Sequence, residues 1–82
     1  MKTIWVSYGH FVMKAIAYSL AESGEWRGEV QIKRKNSNKI QPFAILEKTF
    51  KTKKETINYS IEYGKLIIDG KIPGCRVEDI WI

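Results

Sequence analysis

Basic residues around one predicted helix start are the main chemical feature of the sequence. The group comprises Lys48, Lys51, Lys53 and Lys54. A helix N-terminus already attracts anions through its free N–H groups and the positive end of its dipole, so added ammonium groups would suit a phosphate. Further basic residues recur on one side of a predicted strand and would extend this surface: Arg27, Lys33 and Lys35. The other interpretation is a solvated, lysine-rich surface that keeps a small domain soluble.

Catalytic and metal-binding groups are scarce by comparison. Cys75 is the only cysteine and His10 the only histidine, which is too few ligands for a zinc site. Cys75 has no histidine near it in sequence to act as a base. We therefore predict a non-enzymatic protein without a metal or a cofactor. A pocket that joined His10 to a carboxylate or to Cys75 would reopen the question of an enzyme.

Composition and length limit the kind of protein this is. Of the 82 residues, 44% are apolar and 28% are charged, which is typical of one globular domain over 1–82 with a single core. The net charge of +5 permits an anionic partner without requiring one. A lone cysteine fits a reduced, cytoplasmic location. No apolar run is long enough to span a bilayer, and Lys14 and His10 interrupt the one stretch that resembles an export signal, so we expect no membrane association.

The run from Phe50 to Gly70 is predicted to be the only long helix. Thr52 and Glu55 have the spacing of a capping box, and Gly70 stands where a left-handed C-terminal residue is wanted. The predicted buried stripe consists of Ile57, Ile61, Gly64 and Ile68, flanked by Ser60 and Ile67.

The segments before the helix read as strands. Trp26, Gly28, Val30 and Ile32 alternate with polar residues, which predicts a half-buried antiparallel strand. The stretch 10–21 fits a strand or a helix, and we expect a strand because a compact turn and an alternating segment follow it. Its predicted buried set is His10, Val12, Ile16, Tyr18 and Leu20. In 40–50 apolar residues fall on both parities, so either a bulge shifts the register or both faces are covered.

These elements predict an α+β fold: an antiparallel sheet of three main strands, with a fourth or fifth available from the terminal segments, and one long C-terminal helix on one face. The pattern Gly24-x-Trp26-x-Gly28-x-Val30-x-Ile32, with Phe50-x-Thr52 opening a helix that closes with Ile67-Ile68-Asp69-Gly70, resembles small uncharacterised bacterial proteins with a three-strand-then-helix layout. The resemblance implies a fold and no activity.

A single helix would leave the other sheet face uncovered, which suggests a binding module. The leading hypothesis is a homodimer, or docking on another protein, because tryptophan is enriched among residues that dominate interface energy. The predicted interface residues are Trp5, Ile80, Trp81 and Ile82. The alternative is a domain that binds DNA or RNA through the lysines at the helix start and the basic strand face.

Overall fold

A computed structural model describes residues 5–75 and has an antiparallel sheet followed by a helix. The elements are β1 (Val6–Tyr8), β2 (Phe11–Ser19), β3 (Trp26–Arg34), β4 (Gln41–Phe50) and α1 (Lys53–Ile68). The strands follow one another across the sheet in chain order, and every neighbouring pair is antiparallel. This arrangement confirms the predicted α+β fold, with β1 as the fourth strand. The predicted C-terminal strand lies outside the described residues.

The stretch 10–21 is a strand, as predicted, but its predicted buried face is wrong. Phe11 and Met13 are buried under α1, whereas Tyr18 is 47% exposed. Val12 and Ile16 lie half-buried on the opposite face. Successive residues of a strand point to opposite faces. An error of one residue in the predicted alternation therefore moves every predicted buried side chain to the other face of the sheet.

The third strand follows its predicted alternation. Gly28, Val30 and Ile32 are buried against α1, and the polar residues between them face away from it. Gly24 adopts a φ of 73° in the turn that joins β2 to β3, a conformation that glycine adopts without steric cost. The compact turn predicted after the stretch 10–21 is therefore present.

A bulge in β4 explains its mixed apolar pattern. Ile45 pairs with Gly28 and Phe50 pairs with Trp26, so residues 46–49 together lie opposite Arg27. The shift moves the buried positions of β4 from odd-numbered to even-numbered residues. Ile45 and Phe50 therefore both face α1, while Leu46 stays 72% exposed. Of the two explanations that the sequence left open, the bulge is the correct one.

The helix begins and ends at its predicted signals. Thr52 is the N-cap: its Oγ1 accepts a hydrogen bond from the Glu55 N–H at 3.1 Å. At the other end, Gly70 has a φ of 75°, its N–H donates to the Ile67 carbonyl at 3.0 Å, and the Lys71 N–H donates to the Leu66 carbonyl at 2.9 Å. These two bonds form a Schellman motif, which satisfies carbonyls that would otherwise lack partners. Within the described part of the chain no helix is long and apolar enough to cross a membrane.

The helix packs closely on the sheet through small residues, but its buried stripe is rotated from the predicted one. The buried positions are Thr56, Ser60, Tyr63, Gly64 and Ile67. Ile57, Ile61 and Ile68 are only half-buried, so the prediction was wrong by about one residue. A Cβ on Gly64 would lie 2.6 Å from the Met13 sulfur, and one on Gly28 would lie 2.4 Å from the Ser60 hydroxyl oxygen. Both glycines therefore permit a helix-to-strand approach that any side chain would obstruct.

Candidate functional site

The sheet face turned away from α1 has no cover from the described residues, and we call it the open face. Directly opposite residues of antiparallel strands share a face, and Met13 and Ile32, which pair, lie under the helix. The intervening pairs must therefore lie on the open face. They are Val12 with Lys33, Lys14 with Gln31, Ile16 with Glu29, and Tyr18 with Arg27.

An indole ring with two ammonium groups close to it is the main feature of the open face. Trp5 directly precedes β1, and its ring centroid lies 4.9 Å from the Lys14 Nζ and 5.6 Å from the Lys33 Nζ. These distances are within the range of cation–π attraction. The Lys33 Nζ also donates to the Ser37 carbonyl at 3.1 Å. We call Trp5, Lys14 and Lys33 the Trp5 platform.

The lysines of the Trp5 platform have no acidic partner within residues 5–75. The ion pair found in this range joins Lys65 to Glu62 on the helix, and no interaction of Lys14 or Lys33 involves a carboxylate. Two like charges beside one ring repel each other, and an anion bound between them would remove that repulsion. The platform therefore combines an aromatic surface with two ammonium groups that attract an anion.

Among the paired β2–β3 positions of the open face the one carboxylate is that of Glu29, and neutral donors occupy it. Glu29 accepts hydrogen bonds from the Tyr18 hydroxyl at 3.1 Å and from the Gln31 amide at 2.9 Å. Burial, followed by the hydrogen bond and charge of Glu29, raises the pKa of Tyr18, which keeps the phenol protonated as a donor. Arg27 Nη1 donates to the Ile45 carbonyl at 3.3 Å, which holds this guanidinium beside the bulge.

The predicted basic residues do not form one patch. Trp26 pairs with Phe50 just before the helix begins, so Lys51, Lys53 and Lys54 lie at that end of the sheet. Lys33 lies seven residues further along β3, or roughly 23 Å away at about 3.3 Å per residue. Lys35 is more distant again, and only Arg27 lies near the helix start.

Lys48 is exposed like Lys51 and Lys54, but its ammonium group lies over two aromatic rings. Its Nζ lies 5.1 Å from the Phe50 ring centroid and 4.8 Å from that of Tyr59. Those two rings are tilted against each other with centroids 4.9 Å apart. The ammonium group therefore covers an aromatic pair between β4 and α1, a packing role that the sequence did not reveal.

Glu47 joins the bulged strand to the helix. Its carboxylate accepts hydrogen bonds from the Tyr59 hydroxyl at 3.1 Å and the Tyr63 hydroxyl at 3.3 Å. Burial, and then the charges of Cys75 and Glu47, raise the pKa of Tyr63 to about 12. Burial, and then the hydrogen bond and charge of Glu47, also raise the pKa of Tyr59. Both phenols therefore stay protonated at neutral pH and act as structural donors.

His10 lines a cleft at one end of the sheet. The cleft has a volume of about 370 Å³, and its lining residues are His10, Arg34, Lys35 and Asn36. Neither Cys75 nor a carboxylate is among them. This cleft therefore does not join His10 to a carboxylate or to Cys75, the combination that would have suggested an enzyme. Among residues 5–75 no group of three His, Cys, Asp or Glu side chains could hold a metal ion.

The predicted protein interface is only partly within the described residues. Trp5 is half-buried beside the open face. Ile80, Trp81 and Ile82 lie outside the described range, so their role stays a prediction.

Comparisons with protein-family models, with curated proteins and with solved structures found no match.

Proposed function

We propose that the chain binds single-stranded nucleic acid on the open face. The observation that supports this most directly is the Trp5 platform, an indole ring with two ammonium groups within 6 Å of its centroid. Proteins that bind single strands combine aromatic surfaces, on which bases stack, with cationic groups along the path of the backbone. Both components are present here on one sheet face.

The indole favours a single strand over a duplex. Bases in a duplex are already stacked and paired, whereas unpaired bases can stack on an exposed aromatic ring. Such stacking contributes about 1–3 kcal/mol per base. Gln31, which pairs with Lys14, adds an amide that can exchange its bond to Glu29 for a bond to a base edge.

Electrostatics favours a polyanion as the partner. The chain has a net charge of +5, and the paired positions of the open face include three cations against the single carboxylate of Glu29. Each phosphate neutralised by a lysine releases bound counterions, so affinity should fall steeply with salt.

A charge-reversal pair tests the proposal. We expect Lys14→Glu/Lys33→Glu to weaken binding of a labelled oligothymidine or oligouridine at least tenfold, because both phosphate contacts become repulsive. The slope of log affinity against log salt should become shallower by roughly 0.7 for each lost contact. Fluorescence anisotropy at several salt concentrations measures both quantities.

The matched control reverses the same number of charges elsewhere. Lys51 and Lys54 are exposed near the helix start, and Lys51→Glu/Lys54→Glu changes the net charge by the same amount. We expect it to weaken binding less than about threefold, through the general field alone. No binding by the unchanged protein at low salt, or equal losses in the two double variants, would contradict binding on the open face.

Docking on a second copy, or on another protein, is the second candidate function. It is favoured by exposed apolar side chains, since Leu46 is 72% exposed and Tyr18 is 47% exposed. If this surface forms a homodimer, light scattering at micromolar concentration should give twice the chain mass of 9.5 kDa, and Leu46→Glu should restore the monomer. A monomer at every concentration would exclude the homodimer.

A further inference from the structure

We infer that the cleft lined by His10, Arg34, Lys35 and Asn36 binds the terminal phosphate of a nucleic-acid strand lying on the open face. This inference rests on the proposed function and adds a preference for one chemical end of the strand. We call this cleft the His10 cleft.

Two turns form the His10 cleft, and a backbone hydrogen bond joins them. His10 lies in the turn between β1 and β2, where Gly9 has a φ of 62°. Lys35 and Asn36 follow the end of β3, and the Lys35 N–H donates to the His10 carbonyl at 3.1 Å. The lining side chains thus come from two segments whose relative position is set by this bond and by the β2–β3 ladder.

The lining groups suit a phosphate monoester. A guanidinium, an ammonium, an imidazole and a carboxamide can all donate hydrogen bonds, and no lining residue is acidic. A terminal phosphate has a charge of about −1.5 to −2 at neutral pH and three strong acceptor oxygens. A phosphodiester within a strand has a single charge and fewer free oxygens, so it would use fewer of these donors.

Lys33 connects the His10 cleft to the Trp5 platform. Its Nζ lies 5.6 Å from the Trp5 ring centroid and also donates to the carbonyl of Ser37, which follows Asn36 directly. Lys35 is two residues beyond Lys33, or roughly 7 Å along the strand direction. A strand with a base stacked on Trp5 would therefore have its neighbouring phosphates within reach of the cleft.

One oligonucleotide sequence in three forms tests this inference: with a 5′-phosphate, with a 3′-phosphate and with neither. We expect a phosphate at one of the two ends to raise affinity roughly tenfold, since it gains charge-assisted hydrogen bonds. Lys35→Gln should remove most of that gain, because it takes the ammonium group out of the cleft and leaves the Arg34 guanidinium as its one permanent charge. The control Lys39→Gln removes another exposed lysine, one that does not line the cleft, and should leave the gain unchanged.

The outcomes separate this inference from the proposed function. Equal affinity for all three forms, or a gain that Lys35→Gln leaves undiminished, would overturn the terminal-phosphate site while leaving strand binding intact. If no form binds, the proposed function fails, and a titration with inorganic phosphate followed by amide NMR then examines the cleft alone. Shifts at His10, Lys35 and Asn36 would identify a site for free phosphate and overturn the assignment to a strand end. An unchanged spectrum would exclude an anion site of either kind.

Discussion

Gly64→Ala is expected to destabilise the protein by about 1–3 kcal/mol, although alanine normally favours a helix over glycine by about 1 kcal/mol. The added methyl would lie 2.6 Å from the Met13 sulfur and 2.9 Å from Val30 Cγ2. Met13 and Val30 are both fully buried, so neither can move aside into solvent. Urea unfolding followed by circular dichroism measures the loss. A thermal midpoint about 4–8 °C lower per kcal/mol is expected in a domain of this size.

Two further variants show whether close packing is the cause. Asn58→Ala, at an exposed position of the same helix, should stabilise by a few tenths of a kcal/mol, because it changes propensity without a contact. The double variant Val30→Ala/Gly64→Ala should lose less stability than the sum of its single changes, because each substitution relieves the other. A Gly64→Ala protein as stable as the Asn58→Ala protein would disprove the tight helix-to-sheet approach.

The parts of the fold that depend only on residues close together in the sequence were predicted well. Thr52, Gly70 and the alternation of β3 depend on short-range geometry and were predicted correctly. The helix stripe was rotated because isoleucines outweighed small residues in the prediction. The burial of Thr56 and Ser60 arises from the approach of β3, which sequence periodicity does not contain.

The candidate site was less predictable because it depends on pairing between strands. The basic residues were visible as a group, yet the structure separates the helix-start lysines from Lys33 by most of the sheet length. Lys14 was not among the predicted site residues, and the assignment of Trp5 to a protein interface stays a prediction. If a two-residue turn had been predicted at Gly9 and His10, Tyr8 would have been paired with Phe11, as the structure has it. Continuing that register places Trp5 opposite Lys14.

The second large expected effect concerns Met13, which is buried although the sequence prediction placed the other face of β2 in the core. Met13→Ala should cost about 2–5 kcal/mol, because Met13 is fully buried and its truncation leaves a cavity beneath Gly64. A chain of this length has a total stability of only about 0.05–0.15 kcal/mol per residue, so the variant should be partly unfolded at modest urea concentrations.

Ile16→Ala is the matched comparison, since it removes the same number of side-chain heavy atoms from the same strand. Ile16 is half-buried on the open face, and its truncation leaves a surface that water can fill, so we expect a loss of about 1 kcal/mol or less. The alternation read from the sequence would require the reverse order, with Ile16 in the core and Met13 outside. Urea midpoints of the two variants therefore decide which face of β2 lies under the helix. A larger loss for Ile16→Ala would put Val12, Ile16 and Lys14 under α1 and remove Lys14 from the Trp5 platform.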